Sequence, residues 1–275
     1  MEPRKLIVNG AELHYVEQGT GDPVVFVHGS LGDFRSWRFQ VEPFAARYRV
    51  IAYSRRYHYP NAWSGDGSDY SAALHAQDLA GLIQALGLES AHVVASSYGA
   101  YTSLFLAVQH PQLVRTLVLG EPPILSWLEH VPGGNAELEA FMSGAWEPAR
   151  RAFQSGDLEE GVKAFVDGVM GKGTFDQFPP PARSNMMDNA REMKAETAAS
   201  EYFPALTCED VGQIQAPMLL LTGEQSPRMF HLIVDELERC LSNKQRATIP
   251  NASHAMHIGN PQAYNAAVLA FLAKH

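Results

Sequence analysis

Val93-Val94-Ala95-Ser96-Ser97-Tyr98-Gly99-Ala100 is the stretch that decides the fold. A buried-type strand runs into Ser-x-Gly and then, with no linker, into an apolar helical pattern that continues to Gln109 and ends near Pro111. A serine on so sharp a strand-to-helix turn lifts its hydroxyl above the sheet edge. The turn crowds the positions two before and two after that serine, so both must be small. Here they are Ala95 and Gly99, with alanine where glycine is more usual. Ser97 also opens a helix, where the backbone dipole favours developing negative charge. The N–H of Tyr98 would point at an oxyanion. The plainer use of Ser97 is as a helix cap. Ser96 lies one residue early and would point into the sheet.

On either side, short apolar runs alternate with helical patterns. Residues 5–8 and 12–17 read as a hairpin turning at Asn9-Gly10. Further strands are expected at 23–27, 49–53, 92–95, 115–120, 217–222 and 246–250. Helices are expected at 70–86, capped by Ser68 or Asp69 and stopped at Gly87, at 227–241, and from Asn260-Pro261 onward. Such alternation predicts a parallel sheet covered on both faces. Residues 122–206 break the pattern with helical periodicity and no convincing strand. They hold Trp127, Phe141, Trp146, Phe153, Phe165, Phe175, Phe178, Tyr202 and Phe203, and five of the nine methionines. These are the core of a small helical subdomain, or an apolar roof over a pocket. Pro179-Pro180-Pro181 reads as a stiff connector.

The 275 residues allow one large domain or a core with an insert. At 46% hydrophobic, the chain is not a disordered one. A net charge of −9 with no long charge run argues against a nucleic-acid surface. Two cysteines, Cys208 and Cys240, cannot make a disulfide framework, so a reduced cytoplasmic setting is the simplest expectation. No run of about 18 apolar residues predicts a membrane span, and the first ten residues lack a signal-peptide core. Phosphate-binding, zinc-protease and dinucleotide motifs are missing.

The strand at 246–250 leads into Asn251-Ala252-Ser253-His254-Ala255-Met256-His257. A histidine on the loop after the last strand can reach back over the sheet edge to Ser97, which sets His254 apart from a surface histidine. His257 is a bystander, and the two histidines lack a third ligand for a metal. Earlier, Phe26-Val27-His28-Gly29-Ser30-Leu31-Gly32 follows a central strand. Its backbone must fold back to aim an N–H at the same oxyanion. Gly29 permits the turn, Ser30 supplies the donor, and His28 braces the loop by hydrogen bonding.

In this order and spacing the segments resemble the α/β-hydrolase superfamily, in its cap-bearing serine hydrolase and esterase branch. Leu220-Leu221-Thr222-Gly223-Glu224 belongs to the same likeness, which covers nearly the whole chain. It implies an α/β-hydrolase fold: an eight-stranded, mostly parallel sheet with one antiparallel edge strand. The core would comprise 1–121 and 207–275, with a helical cap at 122–206. It also implies a Ser-His-acid triad, usually without a cofactor. Two departures stand out. Ser226 occupies the place where the acid is commonest. The acid is then Glu121, at the end of the preceding strand, or Glu224, or is missing. In Ala52-Tyr53-Ser54-Arg55-Arg56, Ser54 and the lost glycines depart from the usual loop. There Arg55 and Arg56 brace the loop or bind an acidic substrate.

The resemblance implies hydrolysis of an ester, thioester or lactone of a small-to-medium apolar substrate through an acyl-enzyme. Ser97 is the nucleophile, His254 the base and Glu121 its orienting acid. Ser30 and Tyr98 are the oxyanion donors, and Leu31, Trp37, Trp127 and Trp146 are candidate substrate contacts. Trp37 packs beside the pocket or in the core. The expected partner is a small molecule, with neither nucleic acid nor membrane; monomer and homodimer stay open. A lyase, a carbon–carbon bond hydrolase, another cofactor-free enzyme on this fold, and a small-molecule receptor are the alternatives.

Overall fold

A single sheet of eight strands organises the computed structural model, which describes residues 2–63, 65–201 and 203–275. Tyr202, among the aromatic residues expected to build the roof, lies outside the described residues. The strands are β1 (Arg4–Val8), β2 (Ala11–Gln18), β3 (Pro23–Val27), β4 (Arg49–Tyr53), β5 (Ala91–Ser96), β6 (Val114–Gly120), β7 (Met218–Gly223) and β8 (Lys244–Ile249), in the order β1-β2-β4-β3-β5-β6-β7-β8. From β4 to β8 every neighbour pair is parallel. The antiparallel strand is β2, one in from the edge, because it pairs antiparallel with both β1 and β4. The expected edge position is therefore corrected. Asn9 and Gly10 make the tight turn that folds β1 back outside β2, both with positive φ (47° and 75°), as a two-residue hairpin turn requires. β5 and β7 are buried along their whole length, in keeping with the apolar runs Val93–Ala95 and Met218–Leu221 at their centres.

The helices are α1 (Val41–Ala45), α2 (Ala72–Ala85) and α3 (Tyr98–Gln109), then α4 (Gly134–Phe141), α5 (Glu147–Ser155), α6 (Leu158–Met170), α7 (Thr174–Gln177), α8 (Pro180–Asp188) and α9 (Ala190–Ala198), all inserted between β6 and β7. After the insert come α10 (Cys208–Gly212), α11 (Arg228–Cys240), α12 (Met256–Gly259) and α13 (Pro261–Leu272). The cap of α2 is Ser71, whose hydroxyl accepts from Leu74 N–H at 3.1 Å. Ser68 and Asp69 precede that position, and Asp69 instead accepts from the Tyr57 hydroxyl at 2.5 Å. Pro180 and Pro181, expected within a connector, open α8; a first-turn proline loses no intrahelical hydrogen bond. Cys208 and Cys240, expected as reduced thiols, are joined by a disulfide with Cα atoms 5.3 Å apart. The bridge ties α10, just after the inserted helices, to the end of α11. Among the described residues no helix is long and apolar enough to cross a membrane.

The apolar core divides across the sheet. Phe26, Trp37, Phe44, Tyr264 and Phe271 fill one side; the other joins α2, α3 and α11 to the inserted helices. Buried among these layers are five histidines whose pKa values are lowered. Burial, followed by the Arg55 charge, holds His28, His58 and His75 well below the usual imidazole range. Burial, followed by the Arg115 charge, takes His92 to about 4, and burial followed by the His254 charge takes His257 to about 3. These rings stay neutral in the folded state. Below about pH 6.5 the unfolded chain takes up protons that the native state refuses, so stability is lost as pH falls and unaffected above that point. The expected cost is about 1 kcal/mol per ring between about pH 7 and 5.5. Urea unfolding at those two pH values should show a clearly lower midpoint at the acid end; coincident curves would contradict the assignment.

Candidate active site

Between the last residue of β5 and the first of α3 stands Ser97 alone, with φ 55° and ψ −127°. A side-chain-bearing residue held there stores about 1–3 kcal/mol of strain, so its surroundings must impose it. Ser97 N–H donates to the Gly120 carbonyl at 2.7 Å, and its own carbonyl accepts from Tyr101 N–H at 3.0 Å. The crowding expected two residues on is real. A Cβ on Gly99 would lie 2.3 Å from the His28 carbonyl oxygen and 2.4 Å from that of Val27. Both obstacles are backbone and cannot swing aside. Gly99→Ala should therefore destabilise the fold by about 2–3 kcal/mol, read as a Tm lowered by several degrees. An unchanged Tm would contradict this packing.

The chain brings two more sequence-predicted residues to Ser97. His254 sits on the loop after β8, with Nε2 2.9 Å from Ser97 Oγ. Its Nδ1 lies 2.6 Å from Glu121 Oε2. Glu121 directly follows β6, is fully buried, and uses Oε1 to accept from Gly223 N–H at 2.8 Å. Glu224 is exposed and accepts from Asn251 N–H at 2.8 Å, away from the imidazole. The Phe230 ring lies flat against His254, 3.9 Å between centroids and 11° between planes. Phe230 was not singled out in the sequence; the amphipathic pattern of α11 is legible, but not which of its apolar residues meets this loop.

The loop after β3 is held from beneath. His28 Nδ1–H donates to the Gly29 carbonyl at 2.8 Å while Nε2 accepts from Arg55 N–H at 2.9 Å, so the ring is neutral with its proton on Nδ1. Arg55 Nε and an η-nitrogen donate to the His28 and Gly29 carbonyls at 3.1 and 3.2 Å. Arg56 pairs with Asp78 at 2.6 and 2.7 Å. Both arginines are buried and neither lines the cavity beside Ser97. Of the two roles the sequence left open for them, they fill the bracing one.

That cavity, of about 120 Å³, is lined by Ser30, Leu31, Ser97, His254 and the apolar Phe165, Val169, Met170 and Met186. A smaller space of about 20 Å³ lies deeper, against Ser97, Tyr98, Leu125, Phe141, Phe203 and Phe230. Leu31 thus lines the cavity, and Ser30 and Tyr98 border the deeper space. Trp37 does not line either; it is sealed in the core between Phe26 and His257, with centroids 4.7 and 4.6 Å away. Trp127 lies in a separate cleft, its indole N–H donating to Leu206 O at 2.6 Å. Trp146 is buried behind Phe141, Phe165 and Phe203. A larger groove of about 570 Å³, around Val16, Phe34, Arg35 and Arg38, contains neither Ser97 nor His254. Among the described residues, Cys208, Glu236 and Cys240 bring possible metal donors within 4.8 Å of one another, but two of these donors are the bonded sulfurs.

A hydroxyl at a helix N-terminus, hydrogen-bonded to an imidazole that a buried carboxylate holds, can lose its proton as the oxygen attacks a carbonyl. Residues 22–261 match the family described as alpha/beta hydrolase fold. The chain is 27% identical over 262 residues to sn-1-specific diacylglycerol lipase ABHD11 of Mus musculus, covering 91% of this chain and 80% of that protein. It is 32% identical over 123 residues to the uncharacterized hydrolase YraK of Bacillus subtilis (strain 168), a match spanning 45% of each chain. Its fold is similar to that of the enol-lactonase from Burkholderia xenovorans LB400, with a TM-score of 0.77 at 19% identity over 98% of this chain and 100% of that one. The family match runs from just before β3 to the start of α13 and takes in the parallel sheet, the strained turn and the inserted helices together: the chain belongs to the alpha/beta hydrolase fold family.

Proposed function

We propose that the protein is a serine hydrolase that cleaves an ester, thioester or lactone of a small-to-medium apolar substrate through an acyl-enzyme. The observation that carries this reading is the unbroken row Ser97 Oγ–His254 Nε2 and His254 Nδ1–Glu121 Oε2, at 2.9 and 2.6 Å. Ser97 Oγ attacks the carbonyl carbon while its proton passes to His254 Nε2. Glu121 holds the Nδ1 proton and stabilises the imidazolium. The N–H groups of Ser30 and Tyr98 receive the charge on the carbonyl oxygen, each donor contributing about 10²–10³ in rate. Collapse breaks the bond to the leaving group, which departs with the proton from His254. Water then gives a proton to the same nitrogen, attacks the acyl carbon, and releases Ser97 with its proton restored.

The substrate class rests on the lining. Apart from the reacting groups and Ser30, the surfaces nearest Ser97 are chiefly aromatic, aliphatic and methionine side chains, which favour an apolar acyl or alcohol portion. The names of the relatives, a lactonase and a diacylglycerol lipase, agree with carbonyl–oxygen cleavage. A fluorophosphonate should label Ser97, and p-nitrophenyl acetate should be turned over, with both lost in Ser97→Ala. A folded wild-type protein that neither reacts nor turns over would overturn the reading in favour of a lyase or a receptor on this fold.

A further inference from the structure

Cap helix α9 carries two buried carboxyls one turn apart, Glu192 and Glu196, and drives both down onto the loop after β3. Such burial is costly unless the groups are hydrogen-bonded and part of the charge is removed. Glu192 Oε2 accepts from Leu31 N–H at 3.1 Å, and Oε1 accepts from the Tyr70 hydroxyl at 2.6 Å. Glu196 stands one turn further along α9, with Oε2 3.2 Å from the Tyr70 hydroxyl, and shares the lining of the deeper space beside Ser97 with Ser30. Neither acid was assigned a role from the sequence.

The charges around the pair close with one shared proton. Arg55 is buried and donates to the Tyr70 hydroxyl at 3.3 Å, so one positive charge faces the two acids. Burial, then repulsion from Glu192, pushes Glu196 well above the usual carboxyl range; burial also raises Glu192, against the pull of Arg55. His58 packs against the pair as a neutral ring: its Nδ1–H donates to the Gly32 carbonyl at 2.7 Å, and Nε2 lies 3.3 Å from Glu192 Oε1. The other titratable groups packed here are Tyr70, His75 and Tyr98. Burial holds the tyrosines well above and His75 well below their usual ranges, so all three are neutral. From α5 and α6, which also pack on α9, only apolar residues and a glycine are buried, and α8 buries none.

We propose that Glu192 and Glu196 are positioning residues of the oxyanion loop: Glu192 occupies Leu31 N–H, Glu196 buttresses it through their common neighbour Tyr70, and the Ser30 N–H is thereby aimed at the reacting oxygen. The proposal rests on the reading of Ser30 as an oxyanion donor. It makes that donor dependent on the cap being seated and on the pair keeping its proton.

Amide exchange tests the contact independently of activity. In Glu192→Ala the Leu31 N–H should exchange at least about tenfold faster than in wild type; equal protection in a folded variant would overturn the proposal. The kinetic test uses p-nitrophenyl acetate. Glu192→Ala should lower kcat by about 10²-fold with KM changed less than about threefold, as for a misplaced oxyanion donor. A loss confined to KM would overturn it. Wild-type kcat is expected to fall at alkaline pH as the pair loses its proton, and in Glu196→Gln, which has no carboxyl proton to lose, that fall should be absent. Identical pH profiles would overturn the role of the shared proton. A wild-type protein with protected Leu31 but no turnover would fault the hydrolase reading and not the clamp.

Discussion

Ser97→Ala should cut ester turnover by about a millionfold while leaving the fold intact. In the proposed mechanism no other group attacks the carbonyl, and removing the nucleophile of a triad costs about as much as removing the whole triad. Alanine keeps the Cβ, so the strain of φ 55° is the same before and after, and the hydrogen bonds of Ser97 N–H and C=O are untouched. What is deleted is the oxygen 2.9 Å from His254 Nε2. Thermal unfolding within about 1 kcal/mol of wild type should accompany the loss. A folded variant retaining more than about a hundredth of the activity would contradict the assignment.

Glu121→Gln should lower kcat by about 10⁴-fold, and Glu224→Gln should change it less than about threefold. The geometry at Glu121 explains the difference. Oε1 receives Gly223 N–H at 2.8 Å, so in the variant the amide oxygen is required there. The amide NH2 is then turned toward His254 Nδ1, which must give up its proton to accept. The imidazole proton moves to Nε2, where it faces Ser97 Oγ and blocks proton removal. Glu224 has no such coupling: it is exposed and accepts from Asn251 N–H, which a glutamine oxygen can also receive. Steady-state kinetics of the two variants decides the matter; similar losses in both would show that the acid at the imidazole is misassigned.

The site was legible in the sequence where the chain itself imposes geometry. Parallel strands deliver their C-terminal ends to one sheet edge, so Ser97 after β5, Glu121 after β6 and His254 after β8 had to lie near one another. Gly99 was legible because the turn leaves no room for a Cβ. Features set by long-range packing were not. Trp37 follows the loop after β3, but its spacing could not say whether the indole faced the cavity or the core. Cys208 and Cys240 stand 32 residues apart, and only the packing of α10 on α11 brings them together. Glu192 and Glu196 show the opposite failure: acidic residues on a short polar helix resemble a solvated face, and their burial follows from the loop and from Arg55 beneath them. The position of β2 one strand in from the edge depended on which way the Asn9-Gly10 hairpin docked.

The most direct test of the central claim, a covalent intermediate on Ser97, is rapid acid quenching of the enzyme with excess p-nitrophenyl acetate, read by intact mass and peptide mapping. The account predicts a burst of about one p-nitrophenol per chain and one acetyl group, carried on Ser97. Turnover that proceeds without a burst and without acetyl at Ser97 would contradict it.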